Sequence, residues 1–370
     1  MFRSRPLRAC AVIGLVLAAA CSDNTTGPGT LTDPAATSAA LNALDSSYTA
    51  PAVASFGALG PFIRPTGPLT RAALVLHATQ PRRPTPGVPP EVAAAQHLSA
   101  LRRLSAAPAS PQGPIIPDAL YGSIYTWDVA STQYVLSSST GGPANGIRFI
   151  LYALNPLTGE PAVPLVEVGL VDLLDESAGA TARLHILVEG VGGTPTYLDY
   201  TATLTPGPAS LTATVAGFVT NAAVGGANKT LTFNVTGLLT LTSATVDATF
   251  TLNNPSITIV LHASVTISGG SETVTVDFTF TRPGETVRLV ASATTTNEVL
   301  DTLSAEIRVN GQVFATIEGN EQGVTFYDAN GDVIQDAGAQ HDVFVALNNL
   351  REAVEGTLDF IEDLFDPFDD

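Results

Sequence analysis

The chain has 370 residues, of which 45% are hydrophobic and only 14% charged, and its formal net charge at pH 7 is −18. This size allows a large core in one or two domains, and the acidic balance argues against a nucleic-acid partner, whose phosphates it would repel. Both cysteines, Cys10 and Cys21, lie near the start of the chain, so the rest of it can hold neither a disulfide nor a thiolate metal site.

The first 20 residues have the pattern of a secretion leader. Three arginines, Arg3, Arg5 and Arg8, precede an apolar run over 9–20. This run is shorter than the roughly 20 residues that a membrane-spanning helix needs, so we interpret residues 1–20 as a signal peptide.

The leader ends in Leu17–Cys21 (LAAAC). This resembles the lipobox of bacterial lipoproteins, with Ala18 where that motif usually has leucine. The resemblance implies cleavage before Cys21 and acylation of this cysteine, so that acyl chains hold the protein on a membrane. Inner-membrane lipoproteins of Gram-negative bacteria tend to have Asp after the cysteine; Ser22 stands there instead, which favours the outer membrane, facing the periplasm or the cell surface. The alternative is an ordinary secretory leader with a chance cysteine.

Residues 21–117 form a predicted Pro/Ala-rich tether with short helices. The polar stretch Ser22–Pro34 is typical of a flexible spacer. Apolar spacing indicates short helices over Ala35–Tyr48 and Glu91–Ser105. Between them, Ala52–Val75 contains three prolines and predicts no regular element.

Residues 118–337 form the predicted β domain, because apolar and polar side chains alternate along most of it. Glu272–Thr281 is the clearest strand, with Val274, Val276, Phe278 and Phe280 on one parity and threonines on the other. Since successive side chains of a strand point to opposite faces, this strand has one apolar and one polar face. About a dozen such strands, joined by short turns, predict an antiparallel meander.

A sheet of this size has a wide apolar face that must be covered. We therefore expect a mainly β fold in which the meander curls into an open or half barrel. Residues 338–370 are predicted to cover this face with an amphipathic helix, because apolar side chains from Val343 to Phe365 recur every three or four positions. A short acidic tail follows the helix. The alternative is a helix offered to another protein.

The sequence contains no recognised nucleophile, phosphate-loop or dinucleotide motif, so no catalytic residue, cofactor or metal is assigned and an enzyme is not favoured. His185 and His262 lie on the polar parity of their strands and would make a metal pair only if those strands were neighbours; we interpret them as surface histidines. Asp328–Asp332 matches a calcium loop only in part, and a tight turn is the better interpretation. The aromatic residues around Trp127 predict core or barrel-rim packing, with a ligand platform as the alternative.

The function that these patterns favour is a non-catalytic, lipid-anchored envelope protein that binds a hydrophobic or lipid ligand in the curled sheet. In architecture alone this resembles the lipoprotein-carrier half-barrels of the bacterial envelope. The alternative is a structural or protein-interaction lipoprotein with a fully packed core, whose polar face contacts an envelope partner. For the first function, the residues expected to line the ligand lie on the apolar face and the C-terminal helix: Phe233, Phe250, Val274, Val276, Phe278, Phe280, Leu350, Val354 and Leu358.

Overall fold

A computed structural model describes most of the predicted β domain and a short segment before it. The described residues are 31, 40, 43, 44, 46–59, 114–223, 228–296 and 299–334. The predicted leader with Cys21, the helix over Glu91–Ser105, most of the helix over Ala35–Tyr48 and the C-terminal helix lie outside them. Leu350, Val354 and Leu358 therefore lie outside the described residues too.

Fifteen strands form the β domain, and their bounds follow the predicted alternation closely. They are β1 Ser123–Asp128, β2 Gln133–Thr140, β3 Gly146–Tyr152, β4 Glu167–Asp175, β5 Ala182–Glu189, β6 Thr196–Pro206, β7 Ser210–Thr220, β8 Thr230–Thr240, β9 Ser243–Leu252, β10 Ile257–Ser268, β11 Ser271–Arg282, β12 Glu285–Thr296, β13 Val299–Val309, β14 Gln312–Asn320 and β15 Gly323–Asp328.

All fifteen strands belong to one sheet, in the order β15 to β3, then β1, then β2. Every neighbouring pair is antiparallel except β1 with β3, which is parallel. The sheet is open, because β2 and β15 stand at its two edges and are not paired with each other in the described part of the chain. A mainly β, open meander is thus confirmed from β3 to β15.

The prediction of a purely antiparallel meander is wrong at β1–β3. The link from β2 passes the start of β1 and places β3 on the other side of that strand. The passage is tight: a Cβ on Gly142 would lie 2.7 Å from the carbonyl oxygen of Gly122. Only a glycine can make this approach without moving the backbone, which explains the short crossing.

The predicted hairpin at Asn310-Gly311 is confirmed. Both residues adopt left-handed backbone conformations, with φ of 50° and 80°. A two-residue turn of this kind matches the right-handed twist of the flanking strands β13 and β14.

The alternation of side chains gives the sheet one buried apolar face and one polar face. On β11, Val274 and Phe278 are buried, whereas Thr275 and Thr279 on the other face are half-buried. The same parity on the neighbouring strands joins their apolar side chains into one core cluster. The predicted parity of this region is therefore confirmed.

One short helix, α1 (Pro51–Gly57), packs against β3, β4, β5 and β6. The sequence predicted no regular element over Ala52–Val75, and this is wrong for its first turns. Pro51 occupies the first turn, where its missing N–H costs nothing. Ala52, Val53 and Phe56 are buried on the sheet, so packing rather than helix propensity stabilises the element.

Gly217 on β7 lets two aromatic rings approach each other across its strand. It pairs with Tyr200 on one side and Phe233 on the other, and the two ring centroids lie 6.0 Å apart. A Cβ at Gly217 would lie 2.1 Å from the carbonyl oxygen of Asp199.

We expect Gly217→Ala to lower the free energy of unfolding by about 2 kcal/mol, because the backbone of β6 must shift. Urea unfolding followed by fluorescence of Trp127, the one tryptophan, measures the change. Gly237→Ala on β8 is the control, since its Cβ would meet nothing closer than 3.9 Å; equal losses for the two variants would contradict the prediction.

Candidate functional site

The six predicted ligand-lining residues that the structure describes lie on the same face of the sheet. Their side chains are all buried: Phe233 on β8, Phe250 on β9, and Val274, Val276, Phe278 and Phe280 on β11. Cross-strand pairing joins β8 to β9, β9 to β10 and β10 to β11. The structure therefore brings the six into one surface, and their contact with a ligand stays a prediction.

The side chains on this apolar face change in size along the strands. Register places the large ones in a row across β6 to β11, here called the aromatic row: Tyr200, Phe233, Phe250, Ile259 and Phe280. Four residues further along the strands, about 13 Å away, lies the small-residue row, which crosses β7 to β13: Ala213, Gly237, Val246, Ala263, Val276, Ala291 and Ala305.

The side chains of the small-residue row are short, so they rise less above the sheet than those of the aromatic row. The small-residue row crosses seven strands, which is about 29 Å at a strand spacing near 4.8 Å. One leaflet of a bilayer core is about 15 Å thick, so an acyl chain fits within the row's length. Its residues are alanines, valines and one glycine, so no polar side chain lies in the row, which suits hydrocarbon.

One part of the apolar face is not fully buried. Over β11 to β14 the inward side chains are nearly inaccessible, as at Ala293, Ile307 and Ile317. On β6 to β10, close to the hairpins β6–β7, β8–β9 and β10–β11, they are half-buried. We call this region the open corner; it consists of Leu204, Leu211, Leu239, Ala244, Val246, Ala263 and Val265.

Charged side chains flank the apolar face at both ends of β11 and β12. At one end, Arg282 Nε donates to Glu285 Oε1 over 3.1 Å, and the Glu285 side chain is 1% exposed. At the other end, the buried Glu272 faces the buried Thr295. Polar atoms thus stand at the ends of these two strands, and hydrocarbon lies between them.

The polar face carries ion pairs between neighbouring strands. Arg148 on β3 donates two hydrogen bonds of 2.7 Å to the carboxylate of Asp172 on β4, and Asp172 is buried. Arg288 on β12 donates the same pair of hydrogen bonds to Asp277 on β11, at 2.9 and 2.6 Å, in an exposed position. These ion pairs join neighbouring strands in register.

The two histidines of the polar face do not meet. His185 lies on β5 and His262 on β10, five positions apart in the sheet. His185 contacts Glu176 through Nδ1 at 3.2 Å and Asp199 through Nε2 at 2.8 Å. The metal pair that neighbouring strands would have allowed is therefore not formed, and the described residues contain no group of three or more His, Cys, Asp or Glu placed to hold a metal ion.

Two further interpretations from the sequence agree with the geometry. Asp328–Asp332 is a tight turn, in which Asp328 Oδ1 accepts hydrogen bonds from the backbone N–H of Asn330 and Asp332. Trp127 packs edge-on against Tyr134 with ring centroids 5.5 Å apart, and burial raises the pKa of Tyr134. The aromatic residues thus form core packing at the β1–β2 edge.

The Arg288–Asp277 contact gives a pH prediction. Hydrogen bonds from Arg288 hold the pKa of Asp277 below its usual range, against a smaller opposing effect of desolvation. A carboxylate with a lowered folded pKa adds stability above its unfolded pKa, and this contribution is lost as the pH falls through the folded pKa. In Arg288→Gln we expect the carboxyl titration of Asp277, followed by NMR, to move up towards the ordinary value. Arg308→Gln is the control, and an unmoved Asp277 titration in Arg288→Gln would contradict the prediction.

None of the nine lining residues predicted from the sequence lies in the open corner; four of them are on β11. A signal for it exists: between Asp199 and Glu272, only Lys229 and Asp247 carry a formal charge, in a chain with 50 charged Lys, Arg, Asp and Glu side chains among 370 residues. The alternation of side chains identifies the apolar face, and the scarcity of charged residues between Asp199 and Glu272 identifies the part of that face that stays accessible.

Comparison of the chain with protein-family models, with curated proteins and with solved structures finds no match in any of the three. Among the described residues, no helix combines the length and the apolar character needed to cross a membrane. The function of this chain must therefore be inferred from the geometry of the site and from the predicted leader.

Proposed function

We propose that the chain is a lipid-anchored, non-catalytic protein of the bacterial cell envelope that binds a hydrophobic or lipid ligand on the apolar face of its sheet. The lipobox-like Leu17–Cys21 supports the anchor, and Ser22 favours the outer membrane. The observation that carries the ligand is the small-residue row, which leads into the half-buried open corner. Hydrocarbon entering there would leave water without displacing a charge.

The ligand is an acyl chain rather than a flat aromatic molecule. The small-residue row is long and narrow, and its side chains are aliphatic. Aromatic rings that could stack on a flat ligand lie in the aromatic row, about 13 Å further along the strands. A flexible chain fits this shape without a specific polar partner.

The second candidate is a structural or protein-interaction lipoprotein with a packed core. It is favoured by the near-complete burial of the apolar face over β11 to β14. The two candidates differ at the open corner. A ligand binds there if the protein is a ligand-binding lipoprotein, and none binds there if it is a structural or protein-interaction lipoprotein.

Gly237→Leu tests the first candidate. Gly237 lies in the small-residue row, and its Cβ position is 3.9 Å from the nearest atom, so a larger side chain would fill the row without striking the backbone at its first carbon. We expect a fluorescent long-chain fatty acid to bind the parent chain and to bind this variant about tenfold or more weakly.

Ala216→Leu is the matched control. Ala216 is exposed on the polar face of the neighbouring strand β7, so its enlargement should leave binding unchanged. A parent chain that binds no fatty acid, and from which no lipid can be extracted after native purification, would refute the ligand and favour the packed core.

A further inference from the structure

The hairpins beside the open corner form an uncharged end of the sheet. Three stretches, 203–213, 236–246 and 263–271, contain no Asp, Glu, Lys, Arg or His, although the chain as a whole is strongly acidic. Of the two charged residues between Asp199 and Glu272, Lys229 lies in the β7–β8 link and Asp247 within β9. The stretches therefore share a property that ordinary solvated hairpins of an acidic protein lack.

These three stretches lie side by side. Strands β6 to β11 are consecutive neighbours and antiparallel, so the turns β6–β7, β8–β9 and β10–β11 all fall at the same end of the sheet. Adjacent tips are two strands apart, about 10 Å, and the three tips span about 20 Å. We call this set of residues the uncharged end.

Large apolar side chains are exposed there. Leu241, at the β8–β9 tip, is 92% exposed. Leu238 and Ile267 are also among the exposed large hydrophobic residues, at 39% and 37%. Ile267 lies on the apolar side of β10, whereas Leu238 lies on the polar side of β8 and pairs with Thr212 and Thr245. A single exposed leucine needs no explanation, but three exposed large apolar side chains around neighbouring uncharged tips mark a contact surface.

The opposite end of the same strands is different. It carries Lys229 before β8 and the Arg282–Glu285 pair at the β11–β12 hairpin. At the uncharged end, the nearest carboxyl is that of Glu272, which pairs with Ile267 across the β10–β11 hairpin and is already buried in the fold. Exposed charge is thus distributed asymmetrically along these strands, and an apolar environment can receive this end without burying a further ion.

We propose that the uncharged end docks on the interfacial region of a lipid bilayer, with Leu241 and Ile267 entering the boundary between head groups and acyl chains. A protein partner is disfavoured because the three stretches contain no Arg, Tyr, Trp or Phe, the residues that usually dominate such interfaces. Because the chain is acidic, anionic lipids repel it, and the surface it prefers is zwitterionic. Docking goes beyond the proposed function, because it needs no bound ligand and no acylated cysteine.

The absence of cysteine after Cys21 allows a direct test. In the full chain with Cys10→Ser and Cys21→Ser, which removes both native thiols, Leu241→Cys is labelled with an environment-sensitive nitrobenzoxadiazole dye. On addition of phosphatidylcholine vesicles we expect a blue shift and a several-fold rise in fluorescence. The shared background cannot be acylated, so an acyl anchor does not contribute to the signal.

Leu157→Cys in the same background is the control. Leu157 is 93% exposed, close to the 92% of Leu241, but lies in the link between β3 and β4, and its dye should not respond. In a chain labelled at 241, Ile267→Asp should raise the lipid concentration needed for half the signal by about tenfold, because it places a carboxylate on the docking surface.

Two results would overturn the proposal. The first is a dye at 241 that does not respond to vesicles, or that responds no more than the dye at 157. The second is a response at 241 that follows protein concentration without lipid, which would make the uncharged end an interface between copies of this chain. Either result leaves the fatty-acid experiment with Gly237→Leu unaffected, so failure of docking and failure of ligand binding are distinguishable.

Discussion

Replacing Phe278 with Ala should lower the free energy of unfolding by about 3–5 kcal/mol, the range found when a buried phenylalanine is truncated. Phe278 has no exposed surface, and it lies between Leu261 on β10 and Leu289 on β12. The truncation would open a cavity in the middle of the apolar face that these neighbours can fill only in part. Urea unfolding followed by Trp127 fluorescence gives the change in midpoint and slope.

Thr279→Ala is the matched control for Phe278→Ala. Thr279 is the next residue of β11 and lies on the polar face, opposite Val260 and Arg288. Its substitution should change the free energy of unfolding by no more than about 0.5 kcal/mol. Similar losses at the two positions would mean that the two faces of the sheet do not differ in packing.

Replacing Arg148 with Met should be about as damaging, at about 3–5 kcal/mol near neutral pH. The reason is electrostatic: the substitution leaves the Asp172 carboxylate buried without the two N–H donors that now hold it. Glu189 lies close enough for Asp172 to raise its pKa further, after the larger effect of burial, and Arg148 opposes that rise. Removing Arg148 would therefore leave two acids repelling each other.

A second substitution distinguishes this explanation from lost packing. In Arg148→Met/Asp172→Leu both partners are apolar, so most of the stability should return. Arg288→Met removes the same two-pronged contact at an exposed pair and should cost far less, since water can solvate Asp277. A double variant no more stable than Arg148→Met would contradict the electrostatic account.

The sequence predicts the strands well because one face of the sheet is buried. On β11 and its neighbours, any shift of register by one residue would place Val274 and Phe278 in water, so the alternation specifies both strand and face. Turn residues such as Asn310-Gly311 then specify where strands end. These are local signals, and the chain from β3 to β15 is built from local pairings.

Three features depend on information that the alternation lacks. The parallel pairing of β1 with β3 leaves the pattern of each strand unchanged, so parity cannot reveal it. The helix α1 forms because Phe56 and its neighbours pack on the sheet, although the prolines that follow argue against a helix. The pairing of Arg148 with Asp172 requires the register of β3 and β4, which the sequence does not state.

The candidate site shows the same limit. Parity placed Phe233, Phe250 and the β11 residues on one face, and that placement agrees with the structure. It did not show that β11 is nearly inaccessible while the open corner is half-buried, because exposure depends on what lies over each strand.

Photolabelling of β10 with a long-chain fatty acid that carries a diazirine, followed by residue-level mass spectrometry, tests ligand binding most directly. Alternate residues of this strand face opposite sides of the sheet, so each strand position reports which face meets the acyl chain. The proposed function predicts label on Ala263 and Val265, in the open corner, and none on Ser264 or Thr266 between them. Label on Ser264 and Thr266 with none on Ala263 and Val265, or no label along β10, would contradict it.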